Sequence, residues 1–118
     1  MNQFPQELEQ RTLLFAQSAI SLCRSIPETT ITRPIINQLV RSSTSIGANY
    51  AEANNASSPI DFRNKIFIAK KEANETKYWL KVVDQFAQDH TRINSLLQES
   101  QELILIFQSI INKLKSKT

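Results

Sequence analysis

Apolar residues recur along this chain at alternating steps of three and four, the spacing that keeps side chains on one face of an α-helix. The first row runs Leu8, Thr12, Phe15, Ala19, Leu22, Ile26, with Leu13, Ala16, Ile20 and Cys23 beside it. It predicts a helix opened by Pro5 and closed by Pro27. A second helix, capped by Thr30 or Thr32 and carrying Pro34 in its first turn, turns Ile36, Leu39, Ser43, Ile46, Tyr50 and Ala53 inward. After a polar turn from Asn54 to Ser58, the run Ser58-Pro59-Ile60-Asp61 joins a cap, a first-turn proline and an acid beside the amide dipoles. A third helix starts there, and Phe62, Ile66, Ala69, Ala73, Thr76, Leu80, Val83 and Ala87 give it a continuous seam, predicted to last to a final turn at His90 and Thr91. Asp89 or Thr91 caps a fourth helix carrying Ile93, Leu97, Ser100, Leu103, Ile104, Phe107, Ile111 and Leu114, which frays into a basic tail, KLKSKT.

Helices joined by links of a few residues are antiparallel neighbours, so the expected fold is an all-α, up-down-up-down four-helix bundle forming one domain over residues 1–118. Composition agrees: a single glycine and four prolines leave little turn material for a β fold. Cys23 is the lone cysteine, which excludes an internal disulfide and suits a reducing, cytoplasmic setting, with the thiol buried as a small apolar group. The opening MNQFPQELEQ has neither a basic leader nor an apolar core, and no apolar run approaches the ~20 residues a membrane span needs, so neither secretion nor a membrane is expected.

The third helix carries the most chemistry. At about 100° per residue its seam takes one side and two unlike flanks adjoin it. Arg63, Lys70, Lys77 and Lys81 project together on one flank; Ile68, Trp79, Val82 and Phe86, with Glu72 and Glu75 among them, occupy the other. A monomeric bundle needs one buried stripe per helix, so the second apolar stripe, supported by Phe67 and Tyr78 near the outermost face, predicts a homo-oligomer interface. The acids on that flank need partners. Arg41 and Glu52 lie on one side of the second helix but eleven residues apart, about 16 Å, too far to pair with each other. Arg41 with Glu72 or Glu75 is the natural pairing, and Asn49 can add amide hydrogen bonds to that network. Ser45, Ala48 and Asn49 are small enough there to admit another backbone closely.

The stretches RSSTSIGANYAEA (41–53) and DFRNKIFIAKKEANETKYWL (61–80) resemble the four-helix-bundle family encoded in intervening sequences of bacterial 23S rRNA genes. The likeness is dense from Arg41 to Val83 and looser in the first and last helices; Tyr50 stands where the family often has a smaller aliphatic residue. The resemblance implies a bacterial bundle assembling as a ring, commonly a pentamer, with no established enzymatic activity. A related group, the accessory variability determinants of diversity-generating retroelements, implies by analogy a basic pentamer that binds nucleic acid and a reverse transcriptase.

Net charge is +3 and the isoelectric point about 9.2, which permits an anionic partner without demanding one. Catalysis is the weakest reading. His90 is the sole histidine and sits in a turn, no metal-ligand spacing occurs, and one glycine cannot build a phosphate-cradling loop, so no metal or cofactor is expected. Glu72 and Glu75 share a face, yet the bases near them favour a structural ion network over acid–base work. The leading expectation is a non-enzymatic oligomer binding RNA or single-stranded DNA through Arg63, Lys70, Lys77 and Lys81. The alternative is a scaffold ring that docks a protein partner such as a reverse transcriptase and binds no nucleic acid itself.

Overall fold

A computed structural model describes residues 4–116, and the four periodic stretches are helices in it: α1 Phe4–Arg24, α2 Thr32–Asn54, α3 Pro59–Val83 and α4 His90–Ser116. Side-chain contacts set the direction of each. Glu9 and Thr12 of α1 meet Asn54 and Gly47 of α2, Ser42 and Glu52 of α2 meet Thr76 and Lys65 of α3, and Lys70 and Lys77 of α3 meet Gln108 and Gln101 of α4. Rising numbers on one helix pair with falling numbers on the next, so all four run antiparallel, and α4 closes the cycle through Glu99 and Arg92 against Arg11 and Ser21 of α1. The result is an up-down-up-down bundle of 48 × 23 × 20 Å.

The core follows the periodic rows. Leu22, Leu39, Ile46, Ile66, Leu80, Leu103, Phe107 and Ile111 are fully buried, and Leu96, outside the expected row, joins them at 5% exposure. The wider arc of α1 divides: Ala16 and Cys23 are buried, while Leu13 remains half exposed. Burial pushes the Cys23 thiol up to about 11, so it stays protonated and unreactive. Tyr50 fits the interior by packing its ring against Phe107 at 5.9 Å and a tilt of 49°.

Helix ends follow hydrogen-bond supply. Ser58 caps α3 by accepting from the Asp61 amide at 3.1 Å, with Pro59 in the first turn. At α2 the cap differs from expectation. Neither Thr30 nor Thr32 caps it; the Thr29 hydroxyl accepts from the Thr32 amide, while Thr32 turns its own hydroxyl back to the Pro27 carbonyl. The end of α3 also comes earlier than its seam suggests. The helix stops at Val83, a 3-10 turn covers Asp84–Phe86, and Ala87 is extended. Asp89 accepts from the Arg92 amide at the next helix start, and His90 opens α4, with Nδ1 2.8 Å from Asp84. At the far end α4 continues through Ser116; Lys117 and Thr118 of the expected frayed tail, like Met1 to Gln3, lie outside the described residues.

Candidate nucleic-acid interface

Four bases of α3 fall within about 40° of arc along about 27 Å of helix. The flank they occupy is the one that meets α4. Lys70 Nζ donates to Gln108 Oε1, and Lys77 Nζ donates to Gln101 Oε1 at 2.7 Å. Both lysines are half-buried by this contact, while Arg63 and Lys81 are exposed. Gln108 in turn donates to Asn112 at 2.8 Å, so the α4 side of the face is built of amides. A neutral acceptor holds an ammonium in place without cancelling its charge. No carboxylate among the described residues pairs with Arg63, Lys70, Lys77 or Lys81, whereas Arg11, Arg33, Arg41, Lys65 and Arg92 each meet one.

The opposite flank faces α2. Of the residues expected at an oligomer interface, Trp79 and Phe86 pack partly against this chain's own core and Val82 is half-buried; Ile68 is the exposed member at 37%. Part of the second apolar stripe is therefore used within the bundle. Next to it, Phe67 and Tyr78 remain 38% and 59% exposed. Arg63 lies over the Phe67 ring, 5.6 Å from its centroid, and Tyr78 meets Trp79 edge-on at 5.0 Å.

Arg41 crosses from α2 to α3 and meets both acids offered to it, Glu72 at 3.1 Å and Glu75 at 2.6 Å. Trp79 Nε1 donates to Glu75 as well, at 3.3 Å. The guanidinium beside Glu75 holds that carboxyl below the usual glutamate range, and the two carboxylates hold Arg41 above the usual arginine range. Asn49 stands apart from this network: its amide donates to the Ser45 carbonyl of its own helix. Glu52 is elsewhere too, paired with Lys65 at 2.9 Å. The carboxylate pair is thus tied to an arginine and an indole, Glu72 buried and Glu75 half-buried, an arrangement that anchors α2 to α3.

Two features escaped sequence reasoning. Arg11 clamps Glu99 and Glu102 of α4 at 2.6 and 2.9 Å, repeating the arrangement of Arg41 with two glutamates three residues apart. The repeated E-x-x-E spacing at 72–75 and 99–102 was its visible signal. The second feature is Gly47. A Cβ there would lie 2.9 Å from Thr12 Oγ1, so α1 approaches α2 closely at the glycine. Among the described residues no group of three or more His, Cys, Asp or Glu is placed to hold a metal ion, and no helix is long and apolar enough to cross a membrane.

The model of the 23S rRNA-intervening sequence protein family matches residues 6–109, which takes in all of α2 and α3 and most of α1 and α4. The chain belongs to that family. Its fold is similar to the crystal structure of a protein of unknown function from the S23 ribosomal protein family of Bacteroides thetaiotaomicron, with a TM-score of 0.73 and 34% identity over 87% of this chain and 96% of that one. No curated protein matches.

Proposed function

We propose that this protein is a non-enzymatic, homo-oligomeric bundle of the cytoplasm that binds the phosphate backbone of nucleic acid through the α3–α4 face. The observation that carries the reading is a row of cations on one flank of α3, Arg63, Lys70, Lys77 and Lys81, that meet no carboxylate among the described residues, two of them held by the glutamines of α4. A lysine already pinned by a neutral acceptor loses less rotamer freedom when a phosphate arrives, and its ammonium has further donors to give. Oligomerisation repeats the face and multiplies the charge presented. Ile68 and the outer edges of Trp79, Val82 and Phe86 are the contact surface for a neighbouring copy, on the flank away from the bases.

Filter binding by wild type and by the Lys70→Glu, Lys77→Glu double variant, at several salt concentrations, tests this. The variant should bind every nucleic acid more weakly, with a salt slope shallower by about two. Light scattering should give the same multimeric mass for both. Equal binding by the two proteins, or none by wild type at low salt, rejects the phosphate reading in favour of a protein-docking scaffold. A monomeric mass at micromolar concentration rejects the oligomer.

A further inference from the structure

Resting on the phosphate reading above, we propose that the α3–α4 face takes a single strand rather than a duplex, with unpaired bases stacking on Phe67 and Tyr78. The two rings lie about 60° round α3 from the basic row and parallel to it, about 16 Å apart along the helix. Both are large aromatics left 38% and 59% exposed beside cations that no carboxylate among the described residues neutralises. Neither ring hangs free. Phe67 is covered on one side by the Arg63 guanidinium, whose own plane offers a second stacking surface, and Tyr78 is braced edge-on by Trp79.

A phosphate row alone does not choose between nucleic acids; the rings beside it do. In a duplex the base faces are already stacked on one another and its strands wind around the axis, so a straight row of cations flanked by rings meets only part of it. A single strand is conformable enough to lay its phosphates along Arg63, Lys70, Lys77 and Lys81 and turn its bases onto the rings. Stacking is tolerant of sequence because every base has a π-face.

The test uses a fluorescent mixed-sequence DNA oligonucleotide, alone and annealed to its complement, with anisotropy read across a salt series. Wild type should prefer the single strand. Phe67→Ala with Tyr78→Ala should weaken single-strand binding about tenfold or more, leave duplex binding nearly unchanged and keep the salt slope, since no phosphate contact is lost. Phe67→Trp with Tyr78→Phe should restore it. Circular dichroism and light scattering should show helix content and mass unchanged in both ring variants. Equal losses for single strand and duplex, no loss for either, or a fall in mass on removing the rings would overturn the proposal; the last would make the rings a contact between copies. Wild type binding both forms equally, with Lys70→Glu and Lys77→Glu still flattening the salt slope, would remove this inference and leave the phosphate reading standing. Absence of binding to either form at low salt would remove both.

Discussion

The α2–α3 seam and the α1–α4 seam carry the same device, one arginine bridging two glutamates three residues apart on the facing helix, in different surroundings. Between α2 and α3 the helices meet at Ser42 and Thr76, both fully buried, with their hydroxyls 2.9 Å apart. Glu72 lies against that seam with its side chain 11% exposed. Between α1 and α4, Arg11 spans an open cleft of about 660 Å³ lined by Ser18, Ser21 and Ser95, and the acids it meets are 27% and 47% exposed. An ion pair over a closed seam protects a carboxylate from dehydration without a partner; one over a cleft competes with water. Identical chemistry therefore has different worth.

The most direct way to break this contrast is to place the same bulk in both seams. Ser42→Leu should destabilise the protein by about 3 kcal/mol, because a fully buried site between closely packed helices has no room for the added carbons. Ser95→Leu, on the exposed wall of the cleft, should stay within about 0.5 kcal/mol of wild type. Urea midpoints at constant slope decide it; equal shifts would mean that the seams do not differ in packing.

Removing the arginines should sharpen the same comparison by a smaller amount. Arg41→Ala strands Glu72 against the packed seam, and since Arg41 itself is half exposed the cost should be about 1 to 2 kcal/mol, below that of breaking a fully buried pair. Arg11→Ala leaves behind acids that water reaches, so about 0.5 kcal/mol is expected. Chemical denaturation of the two variants side by side, in low and high salt, measures both terms. The reverse order would show that the cleft bridge, rather than the seam, holds the bundle closed.

The smallest effect is in acid. Glu75 is held below its ordinary range by Arg41, so it binds fewer protons folded than unfolded. Its contribution is complete above the ordinary glutamate value of about 4.3 and is lost as pH falls through the depressed folded value. Arg41→Gln should lack this part of the acid limb, and its stability deficit against wild type should shrink between neutral pH and about pH 3. A deficit independent of pH would detach Glu75 from the arginine.

By itself the sequence determined the four helices, their antiparallel order and nearly all of the core, because a 3.6-residue repeat of apolar side chains has one way to be buried. Ser58-Pro59 placed the start of α3 by local chemistry alone. The Arg41 pairing and the two flanks of α3 were also legible, since spacing along one helix fixes which side chains share a face. Tertiary structure decided what depends on a second helix. Thr12 of α1 makes Gly47 the point of close approach, Arg11 reaches Glu99 across 88 residues of chain, and Lys65 draws Glu52 away from the other acids. It also decided that Gln101 and Gln108, unremarkable in α4, hold Lys77 and Lys70. A wheel drawn from one helix gives direction but neither the distance nor the identity of what stands opposite, and an ionic or amide contact forms only when both ends arrive within about 3 Å.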